Sequence, residues 1–278
     1  LNKNFDEAVG YYNDLYAGYV NVDNFREKGT SGGIITWLLS YLIENDIVDY
    51  VIHVKPVQQP NSERLFEYAI SSNTKDVLNG AKSRYYPIEI SKVMKDVVRK
   101  PGRYAFVGIP CFVKSVRLLM MDDLILSQRI KFCIGLVCGH LKSKGFTENY
   151  ASQVGINPSD VLNVDYRIKR PNKDAGNYAV QIKSKKKDII MPTRSFFGFN
   201  WGYNFFRNPA CNYCDDLFSE TADIVIGDAW LPKFMSDSKG TSIIAVRNQL
   251  LSEIINKKIN DNTLKLEEIT IDEIKASQ

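Results

Sequence analysis

The sequence predicts an α/β protein in which a mixed sheet with flanking helices is followed by an antiparallel strand segment in the C-terminal half. Two observations support this prediction. Between residues 34 and 154, buried strands alternate with helices, as in folds that contain parallel sheet. From residue 161 onward the pattern changes to short strands joined by polar turns, which is typical of antiparallel pairing.

The N-terminal part predicts helices and strands in turn. The helix over 34–45 has Ile34, Leu38 and Leu42 at helical spacing, and the strand over 50–57 is rich in β-branched residues. The same periodicities predict an extended stretch over 17–22, a strand over 64–71, helices over 74–78 and 90–100, a strand over 103–108, a helix over 112–121, a strand over 131–137 and a helix over 147–154.

The C-terminal part predicts mainly strands. These are expected over 164–170, 177–184 and 188–193, then over 223–226 and 241–248, before an amphipathic helix over 250–259. We interpret residues 1–278 as a single α/β domain, with an α/β part over 26–155 and a β-rich part over 156–278 that carries a loop with two cysteines.

Composition excludes several classes of protein. The net charge of +4 is small and dispersed, so no nucleic-acid partner is expected, and the lysine-rich run 183–187 is predicted to be a solvated hairpin edge. No apolar stretch is long enough to span a membrane and no signal peptide is readable, so we expect a cytoplasmic protein. Because the chain begins at Leu1 rather than Met, its natural start is expected to be missing.

Four of the five cysteines form a candidate metal site. Cys111 and Cys138 each follow a predicted strand, and Cys211 and Cys214 form a CxxC pair. If the two strands are parallel, their carboxyl ends share one edge of the sheet, where α/β folds place their sites. Four converging thiolates suit a [4Fe–4S] cluster or tetrahedral zinc, and the wide spacing favours the cluster; unligated buried thiols are the alternative.

Cys133 is predicted to be a core residue. It lies inside the strand over 131–137, five positions before Cys138, so the period-two alternation of a strand directs its side chain to the opposite face.

Two loops have the composition of a phosphate or nucleotide site. Thr30, Ser31, Gly32 and Gly33 precede the helix over 34–45, where glycines allow close approach, a hydroxyl is expected to cap the helix, and the helix N-terminus favours an anion. A plain helix cap is the equally good alternative. The second loop, Lys82-Ser83-Arg84-Tyr85, combines two bases, a hydroxyl and an aromatic ring, although many such loops are only solvated.

Taken together, these motifs resemble the coenzyme F420 hydrogenase/dehydrogenase beta-subunit family. The resemblance covers roughly residues 25–250 and rests on ordered motifs: Thr30-Ser31-Gly32-Gly33, Lys82-Ser83-Arg84-Tyr85, Gly108-Ile109-Pro110-Cys111, Ile134-Gly135-Leu136-Val137-Cys138, Cys211-Asn212-Tyr213-Cys214 and Gly227-Asp228-Ala229-Trp230. Each motif is short, and their order and spacing make the whole fairly specific.

The resemblance implies a flavin- and iron–sulfur-dependent oxidoreductase subunit. It would relay electrons between a [4Fe–4S] cluster, FAD and a small-molecule or deazaflavin substrate such as coenzyme F420. Cys111, Cys138, Cys211 and Cys214 would hold the cluster. The residues implied in cofactor binding are Thr30, Ser31, Gly32, Gly33, Lys82, Ser83, Arg84, Tyr85, Gly108, Pro110 and Asp228. The catalytic residues stay unassigned.

One departure from the family bears on partners. Members often carry a ferredoxin-like segment with further cysteines, and no cysteine precedes Cys111 here, so electrons are expected from a redox partner protein or a missing segment. Relatives also include proteins of polysaccharide synthesis, and a reductase of that kind stays open. The other alternative is a metal-stabilised binding or assembly protein without turnover.

Overall fold

An eight-stranded mixed sheet forms the centre of the molecule. The computed structural model describes residues 4–58 and 64–278. The strands of the large sheet lie in the order β13-β3-β12-β11-β7-β6-β4-β5, a separate three-stranded antiparallel sheet has the order β10-β9-β8, and β1 pairs with β2. The predicted fold class, a mixed sheet with helices and a later antiparallel segment, is confirmed.

The elements of the described residues have the following bounds. The strands are β1 (Asn4–Asp6), β2 (Gly10–Tyr12), β3 (Asp14–Val20), β4 (Tyr50–Pro56), β5 (Phe66–Ser71), β6 (Tyr104–Gly108), β7 (Ile130–Leu136), β8 (Val161–Ile168), β9 (Ala179–Ser184), β10 (Asp188–Pro192), β11 (Ile224–Asp228), β12 (Ser242–Val246) and β13 (Leu264–Glu268). The helices are α1 (Phe25–Lys28), α2 (Ile34–Glu44), α3 (Thr74–Asn79), α4 (Ser91–Arg99), α5 (Pro110–Asp122), α6 (Leu124–Arg129), α7 (Lys144–Gln153), α8 (Pro232–Met235), α9 (Gln249–Asn260) and α10 (Ile271–Ala276).

Four neighbouring strands of the large sheet run parallel. Strand β6 pairs in parallel with β4 and β7, and β7 pairs in parallel with β11, while β5, β12, β3 and β13 add antiparallel margins. The carboxyl ends of the four central strands therefore meet at one edge of the sheet, and Cys111, Cys138 and Asp228 lie at or just after three of these ends.

Both faces of the sheet are covered by helices. On one face, apolar residues of α2 and α9 pack against alternate strand residues such as Val107 and Ile134. On the other, α4, α5 and α6 pack against Phe106 and Cys133. The near-continuous burial of β6 follows from this two-sided cover, which parallel strands require.

The small sheet has its own apolar core. Val164, Tyr166 and Ile182 from its strands pack with Phe146 and Tyr150 of α7 and with Phe66 of the large sheet. The run 183–187 lies at the exposed turn between β9 and β10, which confirms the predicted hairpin edge.

Several short elements were not predicted. Strands β1, β2 and β13 and helices α6 and α10 are three to six residues long, too short for a periodic pattern to stand out. Within the described ranges, no helix is long and apolar enough to cross a membrane.

Candidate functional site

A cavity of about 610 Å³ opens at the carboxyl edge of the parallel strands. Its wall includes nine of the residues singled out in the sequence: Thr30, Ser31, Gly33, Lys82, Ser83, Arg84, Tyr85, Cys138 and Asp228. Gly32, Gly108 and Pro110 are not part of the wall, although Ile109 is. The volume lies within the ~300–1,000 Å³ range of small-molecule and cofactor sites.

The glycine-rich loop over 29–33 leaves the start of α2 without a side-chain cap. The N-cap residue immediately before α2 is Gly33, with a left-handed φ of +80°. The expected cap by Thr30 or Ser31 is wrong: Ser31 Oγ donates to Thr241 O at 2.6 Å, and Thr30 Oγ lies 3.2 Å from Ser83 Oγ. Because these hydroxyls hold the loop in place instead, the first N–H groups of α2 have no side-chain acceptor.

Gly32 faces the sheet and not the cavity. A Cβ atom at this position would lie 2.5 Å from Gly18 O and 2.9 Å from Ser242 Oγ, and the Gly32 amide donates to Ser242 Oγ at 3.1 Å. The absence of a side chain therefore serves the packing of the loop on β3 and β12. The sequence suggested that a glycine is needed at this position so that a phosphate can approach closely. In the structure, the packing of the loop requires the glycine instead.

The 82–85 loop adopts an unusual backbone and supplies a buried cation. Lys82 has a φ of +105°, and its Nζ donates to Arg167 O at 3.1 Å and lies 3.4 Å from a carboxylate oxygen of Asp165. Arg84 donates to Ala81 O at 3.1 Å, its Nε has no hydrogen-bond partner, and burial lowers its pKa. Lys82 has a strained backbone and Arg84 has an Nε without a hydrogen-bond partner, so this part of the wall suits an anionic ligand.

Asp228 forms an ion pair with Arg167, a residue that was not identified from the sequence. Arg167 Nη1 lies 2.6 Å from Asp228 Oδ2, and the guanidinium lies 4.9 Å from the ring centre of Tyr178 and 5.3 Å from that of Trp230. Arg167 is buried at the end of β8. The ion pair of Arg167 with Asp228 holds the small sheet against the cavity. No local sequence pattern indicated this role, because a single arginine on a strand is common.

The four candidate cluster cysteines lie near one another at the same edge. Cys111 is in the first turn of α5 and is exposed like Cys214, while Cys138 and Cys211 are partly buried. Burial raises the pKa of Cys138 to about 12, and the neighbouring thiols of Cys111, Cys211 and Cys214 add to the rise. Burial also raises the pKa of Cys111, again with contributions from Cys214 and Cys211. Among the residues that the structure describes, no group of three or more His, Cys, Asp or Glu side chains is gathered closely enough to hold a metal ion.

Cys133 lies away from these thiols. Its side chain is completely buried among apolar residues beneath α4, α5 and α6, and burial raises its pKa to about 12. The prediction of a core residue is confirmed.

A second polar group, not identified from the sequence, lines the cavity together with Cys138. The His140 and Trp201 ring centres are 4.4 Å apart, and Lys142 Nζ lies 4.4 Å from the Trp201 ring centre and donates to Phe205 O at 2.7 Å. Burial lowers the pKa of Lys142 to about 8. All three side chains line the cavity. The aromatic run 196–206 was the only signal in the sequence that this wall existed.

Comparison with known proteins gives a consistent family. Residues 15–95 match the N-terminal part and residues 102–272 the C-terminal part of the family described as coenzyme F420 hydrogenase/dehydrogenase, beta subunit. A coenzyme F420-dependent sulfite reductase of Methanocaldococcus jannaschii is 28% identical over 266 residues, which are 87% of this chain and 37% of that protein. A coenzyme F420 hydrogenase subunit beta of Methanococcus voltae is 23% identical over 273 residues, 96% of this chain and 87% of that subunit.

The fold agrees with this family. A chain of the F420-reducing [NiFe] hydrogenase complex from Methanosarcina barkeri superposes with a TM-score of 0.71 at 18% sequence identity, over 96% of this chain and 86% of that chain. At this identity the likeness concerns the fold. With matches that together reach from residue 15 to residue 272, the chain belongs to the coenzyme F420 hydrogenase/dehydrogenase beta-subunit family.

Proposed function

We propose that this chain is an electron-transfer subunit of an oxidoreductase that holds a flavin in the cavity and a [4Fe–4S] cluster on Cys111, Cys138, Cys211 and Cys214. One observation carries the proposal: Cys138 lines the cavity, and the thiols of Cys111, Cys211 and Cys214 lie near enough to contribute to its raised pKa. A cluster on these residues would border the cavity directly, which is what electron transfer between two cofactors needs.

The residues of the wall fit a flavin nucleotide. The uncapped start of α2 offers N–H groups to a pyrophosphate, and Lys82 and Arg84 add positive charge on the same wall. Tyr85, Tyr178 and Trp201 supply aromatic surface of the kind that packs against a planar ring system. FAD therefore agrees with the chemistry of both the charged and the aromatic residues.

The donor set fits an iron–sulfur cluster. Four cysteines are the ligands of a [4Fe–4S] cluster, and tetrahedral zinc is the other metal that they suit. Leu141 N already donates to Cys211 Sγ at 3.3 Å, a contact of the kind that orients a ligand sulfur. The raised pKa of Cys138 means that ligation would displace a proton from this thiol.

The protein contributes binding, orientation and exclusion of water. When bound, a cluster and a flavin supply the conversion between single-electron and two-electron transfer. The loop over 29–33 and the 82–85 loop would orient the nucleotide, while Trp201 and the buried Lys142 would close the wall next to Cys138.

The substrate we propose is a deazaflavin such as coenzyme F420 or another small hydride acceptor, because the relatives are named for that coenzyme. The chain spans 37% of the sulfite reductase and most of the hydrogenase beta subunits. We propose a redox partner protein, or a further segment of a longer protein, as the source of electrons.

Anaerobic purification followed by visible spectroscopy and elemental analysis tests this proposal. We expect flavin and cluster absorption, with about four irons and four sulfides per chain. Stoichiometric zinc without iron would support the rival function, a metal-stabilised binding or assembly protein. Reduction of the chain by reduced coenzyme F420 in a stopped-flow instrument would identify the substrate, and failure of that step alone would leave a flavin–cluster protein with another substrate.

A further inference from the structure

Lys169 reaches the glycine-rich loop from the small sheet. It directly follows β8, and its ammonium group donates to two backbone carbonyls, Ser31 O at 2.8 Å and Arg26 O. Lys169 is not part of the cavity wall, so it contacts the loop from behind. These two bonds tie α1 and the loop that follows it to one side chain.

The surroundings of Lys169 are strongly cationic. Arg26 of α1, Lys82 of the second loop and Arg167 of β8 face it, and the acidic group acting on it is Glu27. Each of these three cations has a carboxylate of its own, since Arg26 lies 2.6 Å from Asp237, Lys82 3.4 Å from Asp165 and Arg167 2.6 Å from Asp228. Burial, followed by these neighbouring cations, lowers the pKa of Lys169 to about 7.

We propose that Lys169 is a positioning residue that holds the glycine-rich loop in its phosphate-binding shape and takes up a proton when a pyrophosphate-bearing ligand binds. This inference rests on the proposed function, because it assumes that the ligand's phosphates meet the loop at the start of α2. It adds a residue of the small sheet and a pH dependence to that site.

The physical basis is charge balance across the loop. A pyrophosphate adds negative charge on the opposite side of the loop from Lys169, and that charge stabilises the ammonium form of Lys169 and raises its pKa. Below pH 7 the free chain already carries the proton, so binding adds none. Above pH 7 the free chain has a neutral amine, binding must add a proton, and affinity falls as pH rises until the pKa of the bound form is passed.

The test uses flavin-free protein with ADP and FAD as probes. Isothermal titration at pH 8 in buffers of different ionisation enthalpy gives the protons taken up per ligand, and titrations between pH 6.5 and 8.5 give the affinity profile. We expect wild-type affinity to fall by about tenfold over this range. Lys169→Met should bind about tenfold more weakly at pH 6.5 and show less proton uptake, because the charge and both carbonyl contacts are lost.

Two further variants separate the possible causes. Lys169→Arg keeps a permanent charge, so its affinity should vary less with pH than that of the wild type. Lys173→Met, on an exposed lysine four residues away, should match the wild type in every measurement. Since Lys142 also lines the cavity and has a pKa near 8, proton uptake is compared between wild type and variant.

The possible results of these titrations lead to different conclusions. Equal proton uptake and equal affinity in wild type and in folded Lys169→Met would overturn the role of Lys169. If Lys169→Met fails to fold, as judged by circular dichroism, an equal pH dependence in wild type and Lys169→Arg overturns it. Absence of ADP and FAD binding to the wild type at every pH would instead refute the nucleotide site, and with it the proposed function.

Discussion

Cys138 and Cys133 differ in the surroundings of their thiols. Cys138 follows β7 and lines the cavity, whereas Cys133, inside the same strand, is buried in the core beneath α4, α5 and α6. These two thiols, one inside β7 and one just after it, thus offer a matched pair for testing ligation, because only Cys138 lies near the other candidate ligands.

We expect Cys138→Ser to remove most of the iron from anaerobically prepared protein, and Cys133→Ala to retain it. The second change deletes one buried atom and should lower the free energy of unfolding by only ~1 kcal/mol. Iron per chain is measured by elemental analysis, with urea unfolding as the control. Loss of iron in Cys133→Ala at unchanged fold would show that the ligand set is assigned incorrectly.

Gly32 provides a second test at single-residue scale. Gly32→Ala places a Cβ atom 2.5 Å from a backbone oxygen of β3, which cannot move without disturbing the sheet, so we expect a loss of about 1–3 kcal/mol in the free energy of unfolding. Gly139→Ala is the control, because a Cβ there meets no atom within 4 Å and should change stability by less than ~0.5 kcal/mol. Equal stability of the two variants would contradict the packing role of Gly32.

Among the elements, the segment over 204–219 that carries Cys211 and Cys214 contains no long helix or strand. It is held to the segment before α7 by main-chain bonds, from Ser143 N to Phe206 O at 2.7 Å and from Asn208 N to Leu141 O at 2.8 Å, and by the Lys142 bond to Phe205 O. Its order therefore depends on these contacts, on the burial of Phe218 and, by our proposal, on a bound cluster.

Cys214→Ser should lower the iron content and make this segment more sensitive to protease than the wild type. The reason is that one of the ligands joining the segment to Cys111 and Cys138 is lost, while the main-chain bonds remain. Limited proteolysis with mass spectrometry locates the cuts, and Cys133→Ala serves again as the matched control. Cleavage outside 204–219, or an unchanged pattern in an iron-depleted variant, would argue against coupling between the cluster and the segment.

For the molecule as a whole, the contact between the two sheets depends on buried charge. Arg167 of β8 pairs with Asp228 at the end of β11, and Lys82 and Lys169 add polar bonds beside it. A buried pair of this kind joins the small sheet to the large one at the wall of the cavity, so stability and site geometry are linked there.

Arg167→Met should lower the free energy of unfolding by about 1–3 kcal/mol, because it leaves the partly exposed Asp228 carboxylate without its partner. Lys92→Met removes an exposed ion pair with Glu67, at 3.5 Å, and should cost less than ~1 kcal/mol. Urea unfolding of both variants measures the difference. A cost for Arg167→Met no larger than that for Lys92→Met would mean that the buried pair does not stabilise the contact between the sheets.

The sequence by itself determined the order of the main elements and the place of the chemistry along them. Local periodicity located α2, β4, β6 and β7 to within a few residues. The reason is that the spacing of apolar residues in neighbouring positions shows whether one face or both faces of a helix or strand are buried. The cysteines at strand ends and the two polar loops could be found in the same way, since each lies beside a recognisable strand or helix. The later antiparallel strands were also predictable from their turns.

Only the tertiary structure decided which distant residues complete the site. Arg167 and Lys169 are 61 and 138 residues from Asp228 and Ser31, with which they bond, and nothing local distinguishes them from ordinary strand residues. The side of the loop that Gly32 faces and the position of β3 between β12 and β13 likewise depend on long-range pairing. The periodicity of the sequence indicates whether a residue is buried, whereas the packing of the sheets determines which distant residue it contacts.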